Sequence, residues 1–357
     1  MSDNAASPNV DVILDGAEVP DGHVLSYVVE RDMYQADMAA IMLANQNDLY
    51  STLAIGASVK IDVGNDKKCI YLGEVVGLEP VYKGGDRSKI LIRAMNPLHR
   101  LLRKRKSMTF TDKSDEQILK QVVGDAGLTL EWKHEKSITY KHVYQHNQTD
   151  MEFLRTRAAR MGCHVWCVDK KVFVKQPELQ GAASAELNVD QSSPSGALRM
   201  FAPRLNSSGI VNKVTCKGWN PETKELITGE ASVTASSLGQ QTGIAGSDKV
   251  AKNDETFTVD HPIWDKAEAT ALAKARLQEA SLSYITGVAE ATGSPAFELG
   301  TLVKITANAN PTNGKNDPFN GLYYVMGLTH RFNASVAKGD APYVTVLRLA
   351  RDGQKQK

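Results

Sequence analysis

The chain carries one strand pattern twice, and this repeat limits its possible folds more than any other feature. The first copy reads Gly56-x-x-Val59-Lys60-Ile61, then a strand with Val75-Val76-Gly77-Leu78, then Ile90-Leu91-Ile92-Arg93-Ala94. The second reads Gly300-x-x-Val303-Lys304-Ile305, then Val325-Met326-Gly327-Leu328, then Val346-Leu347-Arg348-Leu349-Ala350. Block order is kept while the intervening loops differ in length. A gene duplication leaves such a trace, and it implies two similar β-modules in one polypeptide. Its marker residues are Gly56, Val59, Ile61, Gly77 and Leu78, matched by Gly300, Val303, Ile305, Gly327 and Leu328. Each block alone is common among β-proteins; the weight lies in their shared order.

Local patterning around the first copy supports strands. Val24, Ser26 and Val28 alternate with Leu25, Tyr27 and Val29, and Lys60, Asp62 and Gly64 alternate with Val59, Ile61 and Val63. Turn residues at Gly64-Asn65-Asp66 and Gly84-Gly85-Asp86 punctuate them. Short strands at this spacing suggest an antiparallel barrel or sandwich.

The character changes at Asn96-Pro97. Ser114-x-x-Gln117 and Thr149-x-x-Glu152 are capping boxes, each opening an amphipathic helix that stops near Gly127 or Gly162. A hairpin follows, Cys163 to Val168 and Val172 to Lys175 around Asp169-Lys170-Lys171. The expected organisation is a first β-module over residues 1–96, an α/β insertion over 97–177, and a second β-module over 178–357. The last holds a long helix at 264–283 and, over 231–255, a segment rich in Ser, Thr, Gly, Gln and Ala that is expected to be an exposed loop. Pro177 to Gly196 reads as a linker with one short strand, Leu187 to Val189. Asn220-Pro221 reads as a turn between strands.

With 357 residues, the chain is long enough for two or three domains. Its 42 Lys and Arg against 41 Asp and Glu give a net charge of +1, so no bulk charge draws it to nucleic acid or acidic membranes. No apolar run reaches eighteen residues, the length of a membrane span. Met1 to Val12 lacks the basic and apolar regions of a secretory signal.

Few residues suggest chemistry. Cys163 and Cys167 flank His164, but four residues along a strand span roughly 13 Å, too far for a disulfide or a shared zinc. All four cysteines, Cys69, Cys163, Cys167 and Cys216, are expected to be buried free thiols. His261, before the long helix, reads as a capping or packing residue. The sequence has no dinucleotide, P-loop, zincin or nucleophile-elbow motif, so no catalytic residue, cofactor or metal is expected. Arg100, Arg103, Lys104, Arg105 and Lys106 form a dense basic cluster. It reads as a solvated face over Leu98, Leu101 and Leu102; the alternative is an anionic partner. It has none of the interleaved aromatics that single-strand binders use.

Four features together resemble one family: Asn96-Pro97-Leu98-His99-Arg100-Leu101-Leu102; Asn147-x-Thr149-Asp150-x-x-Phe153-Leu154 before Gly162; Gly218-Trp219-Asn220-Pro221; and Ala273-x-Ala275-Arg276-Leu277 ahead of Gly300. The chain is similar to the late-control protein D family of phage baseplate hubs, and to the N-terminal hub region of VgrG spike proteins. The resemblance spans nearly the whole chain. It implies a mainly β fold with two duplicated antiparallel β-barrel, tube-like modules flanking an α/β insertion, assembled as a homotrimer. Its expected partners are a trimeric spike protein, a ring of inner-tube protein and peripheral baseplate wedge proteins. Assembly is expected in the bacterial cytoplasm, into a phage-tail-like particle. Six modules in three chains would reconcile a three-fold spike with a six-fold tube. VgrG-type chains continue into an oligonucleotide-fold domain and a needle; the sequence up to Lys357 shows neither, which leaves open whether the spike is another polypeptide or the protein continues beyond it. The competing classes are a tail-associated hydrolase, which would need a catalytic motif, and a nucleic-acid-binding β-barrel using residues 100–106.

Overall fold

A computed structural model describes residues 9–84, 88–134, 138–189, 197–247, 254–259, 261–310, 317–337 and 340–355. The fold is mainly β and largely antiparallel, with 50% strand and 16% helix. The first stretch supplies β1 (Val10–Leu14), β2 (Ala17–Glu18), β3 (Val24–Asp32), β4 (Met38–Ala44), β5 (Ser58–Val63), β6 (Lys68–Val81) and β7 (Lys89–Met95). Alternation decides which side of each strand is buried. Tyr27 and Val29 of β3, Ile41 and Leu43 of β4, Val59 and Ile61 of β5, and Ile90 and Ile92 of β7 all point into one core.

After Asn96, whose side chain accepts the Leu98 N–H at 3.2 Å, the chain leaves the sheet. There follow β8 (Arg105–Ser114), α1 (Asp115–Gly124), β9 (Thr129–Lys133), β10 (Thr139–Thr149), α2 (Asp150–Arg160), β11 (His164–Val168) and β12 (Lys171–Lys175). Both capping boxes form. Ser114 Oγ accepts the Gln117 N–H while the Gln117 side chain accepts the Ser114 N–H, and Thr149 and Glu152 do the same. The antiparallel pair β8 and β10 packs Phe110, Tyr140 and Val143 on Ile118, Val122 and Phe153 of the two helices. β11 pairs antiparallel with β12, which pairs parallel with β9.

The chain returns through β13 (Ala185–Asn188) and β14 (Leu198–Leu205), then builds a smaller layer from β15 (Lys213–Asn220), β16 (Glu225–Ser232), β17 (Gln241–Thr242), α3 (Gly243–Ser247), β18 (Asp254–Thr258) and α4 (Lys266–Leu282). It closes with β19 (Ile285–Thr292), β20 (Leu302–Thr306), β21 (Gly321–Asn333), β22 (Tyr343–Arg351) and β23 (Gly353–Gln354). The main sheet has thirteen strands in the order β14-β19-β22-β21-β3-β4-β7-β6-β5-β1-β2, with β20 and β13 attached beside β21.

This order corrects the expectation of two barrels. Among the described residues no barrel closes: β3 gives its second edge to β21 rather than to a strand of its own half, so both halves share one sheet. Residues 213–282 form a smaller layer of their own, in which Ala269, Leu272, Ala273 and Leu277 of α4 pack on Val214 and Cys216 of β15. Asn220 joins the parts of this layer. Its Oδ1 accepts the Glu222 N–H at 2.9 Å, making the expected turn, and its Nδ2 donates to Trp264 O at 2.9 Å, just ahead of α4.

The segment expected to be an exposed loop is anchored over much of its length. Ser236 and Leu238 are buried, β17 pairs with β23, and β18 adds to β15 in parallel. Asp352 replaces the missing apolar anchors. Its carboxylate accepts Ser236 Oγ at 2.7 Å and the N–H groups of Ser237 and Leu238 at 2.7 and 2.9 Å. Residues 248–253 of that stretch lie outside the described ones.

Candidate assembly interface

The repeated residues occupy matching places in the two halves. Gly56 and Gly300 both adopt left-handed backbone, φ +91° and +76°, which favours glycine. The Gly56 N–H donates to Val75 O at 2.8 Å and the Gly300 N–H to Val325 O at 3.0 Å. Val75 and Val325 return bonds to Ala57 O and Thr301 O. Val59 and Ile61 are buried in one core, and Val303 and Ile305 in another. Each long strand bulges at the same step, between Val75 and Gly77 and between Val325 and Gly327. Gly77 then faces Arg93 and Gly327 faces Arg348. Leu78 faces Ile92 and is half-buried; Leu328 faces Leu347 and is buried. The strand series β5-β6-β7-β4-β3 thus has a counterpart in β20-β21-β22-β19-β14.

Within the chain, the two halves meet at β3 and β21. Gly327 faces Asp32, and the register runs to Asn333 opposite Ser26. Tyr27 and Phe332 stack with ring centroids 5.3 Å apart, and Arg348 reaches Asp32 at 2.5 Å. Beneath them His330 Nδ1 lies 2.8 Å from the Tyr343 hydroxyl and 3.2 Å from Thr345 Oγ1. Burial pushes this imidazole down to about 3 and that of His164 down to about 4, so both stay neutral. Burial pushes Asp37 up to about 6, against the pull of Arg31 at 3.3 Å.

Among the edges of the same sheet that have no strand beside them in the described residues are the second edge of β14 and the outer half of β6. Both expose apolar side chains. Met200 is 47% and Leu205 39% exposed on the first, Val81 46% and Tyr82 65% on the second. Neither edge was read from the sequence. Leu198–Leu205 has a proline and little alternation; the only pointer to it is its place in a repeat whose other strands are recognisable.

The other candidates have structural settings. The first turn of the basic cluster covers buried Pro97, Leu98, His99 and Leu101, but Leu102 is 45% exposed rather than packed beneath. Arg100 pairs with Glu74, Arg105 with Glu152 at 2.9 Å, and Lys106 with Asp150 at 2.6 Å. Those three cations already face carboxylates. Cys163, Cys167 and Cys216 are buried free thiols, and burial pushes each above its usual range, but Cys69 is exposed, contrary to expectation. Cys69 falls in the polar start of β6, beyond the side chains that cover Ile70 and Tyr71. No group of three metal-ligating side chains gathers among the described residues, and no described helix is long and apolar enough to cross a membrane. His261 lies between β18 and α4, and the buried ion pairs Asp115–Arg157 at 2.5 Å and Arg160–Glu268 at 3.0 Å do not include it.

The model of the Alg8 N-terminal domain family matches residues 4–334. No curated protein matches the chain by sequence. Among solved structures, a tail protein of Neisseria meningitidis MC58 is 13% identical, with 98% of each chain covered and a TM-score of 0.72. The 43 kDa tail protein of prophage MuSo2 from Shewanella oneidensis is 13% identical over 97% of this chain and 99% of that one, TM-score 0.70. A type VI secretion component of E. coli, itself similar to the T4 tail proteins gp27 and gp5, is 10% identical over 99% and 78%, TM-score 0.61. At these identities the likeness is one of fold, shared with phage tail and VgrG-like proteins.

Proposed function

We propose that this chain, which belongs to the Alg8 N-terminal domain family, is a structural baseplate hub of a contractile tail or contractile injection system, without catalytic activity. Three chains form a ring in which two related modules per chain give six tube-like positions. The ring carries a trimeric spike on one side and receives a six-fold inner-tube ring on the other, with wedge proteins around it. The observation that carries this reading is the matched pair of strand series, each with its left-handed glycine and its bulge. Two equivalent strand series in one chain let a three-fold assembly present a six-fold repeat. The fold shared with tail proteins and VgrG supports the same place in a particle.

Duplication of residues 24–95 and 201–350 is part of the proposal, with Gly56 superposed on Gly300 and Gly77 on Gly327. So is the organisation into a first module, an α/β insertion and a second module. Electron microscopy of assembled particles tests it: three copies are expected at the tube–spike junction. Two, four or six copies there, or a location on sheath or fibres, would refute it.

A further inference from the structure

The pairing inside the chain serves as a template for the two free edges. Tyr27 faces Ile41, Ile41 faces Ile92, and Ile92 faces Leu78 across β3, β4, β7 and β6. In the other half, Phe201 faces Ala289, Ala289 faces Leu347, and Leu347 faces Leu328. Position by position, Tyr27 therefore corresponds to Phe201 and Leu78 to Leu328. The bulges agree as well: β3 shifts register between Val24 and Ser26, and β14 between Leu198 and Met200. Yet β3 is covered by the outer half of β21, whereas among the described residues the second edge of β14 and that of the outer half of β6 have no strand beside them. The junction buries Tyr27, Val29, Leu328 and Phe332. Their counterparts Phe201, Pro203, Leu78 and Tyr82 are partly or largely exposed.

We propose that the outer half of β6 and the adjoining Tyr82 receive β14 of a second copy of this chain, antiparallel, with Leu78 opposite Leu205 and Tyr82 opposite Phe201. The pairing rests on the hub assignment above and gives it a residue register. Carrying the internal register across sets Tyr82 against Phe201 as Phe332 sets against Tyr27. It also sets Glu79 opposite Arg204, a favourable pair of opposite charges. The contact joins one patch to a different patch, so successive copies proceed head to tail and can close a ring.

Backbone direction supports the same register. The Asn206 N–H donates to Tyr284 O on the β19 side, so alternation turns the backbone of Leu205, Pro203 and Phe201 outward. The Asn333 N–H donates to Pro342 O and the Ala334 N–H to Leu25 O, so His330 turns toward β3. Its counterpart Pro80 therefore turns toward the bare edge. Each edge has a proline where an outward N–H would stand. In the free chain the missing N–H leaves no ladder bond unmade, because the position lies on an edge, and a proline there discourages indiscriminate strand pairing. In the proposed contact Pro80 meets Pro203, and the ladder bonds come from the flanking pairs Leu78–Leu205 and Tyr82–Phe201.

Disulfide trapping tests the register in assembled particles. In a Cys69→Ser background, Val81→Cys and Ala202→Cys fall opposite each other at a non-hydrogen-bonded pair. There Cα atoms stand about 4.5 Å apart, within disulfide range. Glu79→Cys with Met200→Cys is the mismatched control, four residues out of register. The matched pair is expected to give covalent trimers on a non-reducing gel, and the control monomers. Particles holding three copies that trap the control but not the matched pair, or neither, overturn the register and leave the hub assignment standing. Matched trapping that stops at covalent dimers keeps the register and overturns the three-fold ring. As a second measurement, Tyr82→Asp is expected to lower incorporation into particles at least tenfold while the melting temperature of the isolated chain stays unchanged. Normal incorporation would overturn the contact.

Discussion

At the scale of single residues, equivalent positions need not be equally tolerant. Gly56 and Gly300 share a left-handed φ, so an alanine at either is expected to cost about 1–2 kcal/mol from backbone conformation alone. A Cβ at Gly56 meets nothing within 4 Å, whereas at Gly300 it meets Trp166 at 3.3 Å. Gly300→Ala should therefore be the more destabilising, and Gly300→Val more so, in urea unfolding of the isolated chain. Acid should also weaken the fold through its buried imidazoles. His330 and His164 lie below their usual 6.5 when folded, so the unfolded chain binds protons first as pH falls. Their contribution is full above about pH 6.5 and is lost below it, by about 2 kcal/mol each at pH 5. Asp37, raised to about 6, acts in the opposite sense over its own window, from the usual 3.8 upward. The comparison that isolates one imidazole is His330→Asn, whose loss of stability between pH 7 and pH 5 should be smaller than that of the parent by about 2 kcal/mol.

At the scale of elements, the small α/β layer and the insertion meet through α4, and this contact depends on buried charge. Glu268, in the first turn of α4, accepts the Trp264 N–H at 3.1 Å and pairs with Arg160 of α2 at 3.0 Å. Burial raises its carboxyl and lowers Arg160, so each needs the other to stay ionised. Glu268→Ala leaves a buried guanidinium unpaired and is expected to cost about 3–5 kcal/mol. A loss below 1 kcal/mol in chemical denaturation would show that water or another carboxylate takes over. The polar stretch from Ser236 onward depends on Asp352 in a similar way. Asp352→Ala should make residues 236–247 the first site of limited proteolysis; unchanged resistance there would mean that packing of Leu238 alone holds it.

At the scale of the whole molecule, the β3–β21 junction makes the two halves one continuous sheet, so they should not open independently. Hydrogen exchange offers a direct reading of this. In the isolated chain, amides at the junction, such as those of Val29 and Phe332, should exchange only with global unfolding, while outward amides of β14 and of Leu78 should exchange early. In particles those edge amides should become protected. Equal, high protection of both edges in the isolated chain would mean that the copies already associate, or that another segment covers them.

The sequence by itself determined the local elements: both capping boxes, the Asn220 turn, the strands of the repeat and the places of its glycines. Each is set by residues a few positions apart, whose side chains bond the nearby backbone or alternate between two faces. It also preserved the order of the repeat, although Leu198–Leu205, with Pro203 and little alternation, was not legible as the partner of β3. Tertiary structure decided where each strand spends its second edge. The outer half of β21 and that of β6 have similar local patterns, yet one is covered by β3 and the other is bare. Strand pairing joins backbone groups hundreds of residues apart, and the choice between partners depends on which edge the folded chain can bring alongside, which no local spacing encodes. The same holds for the segment held by Asp352. Its composition offers few apolar anchors, and the carboxylate that helps to hold it is more than a hundred residues away.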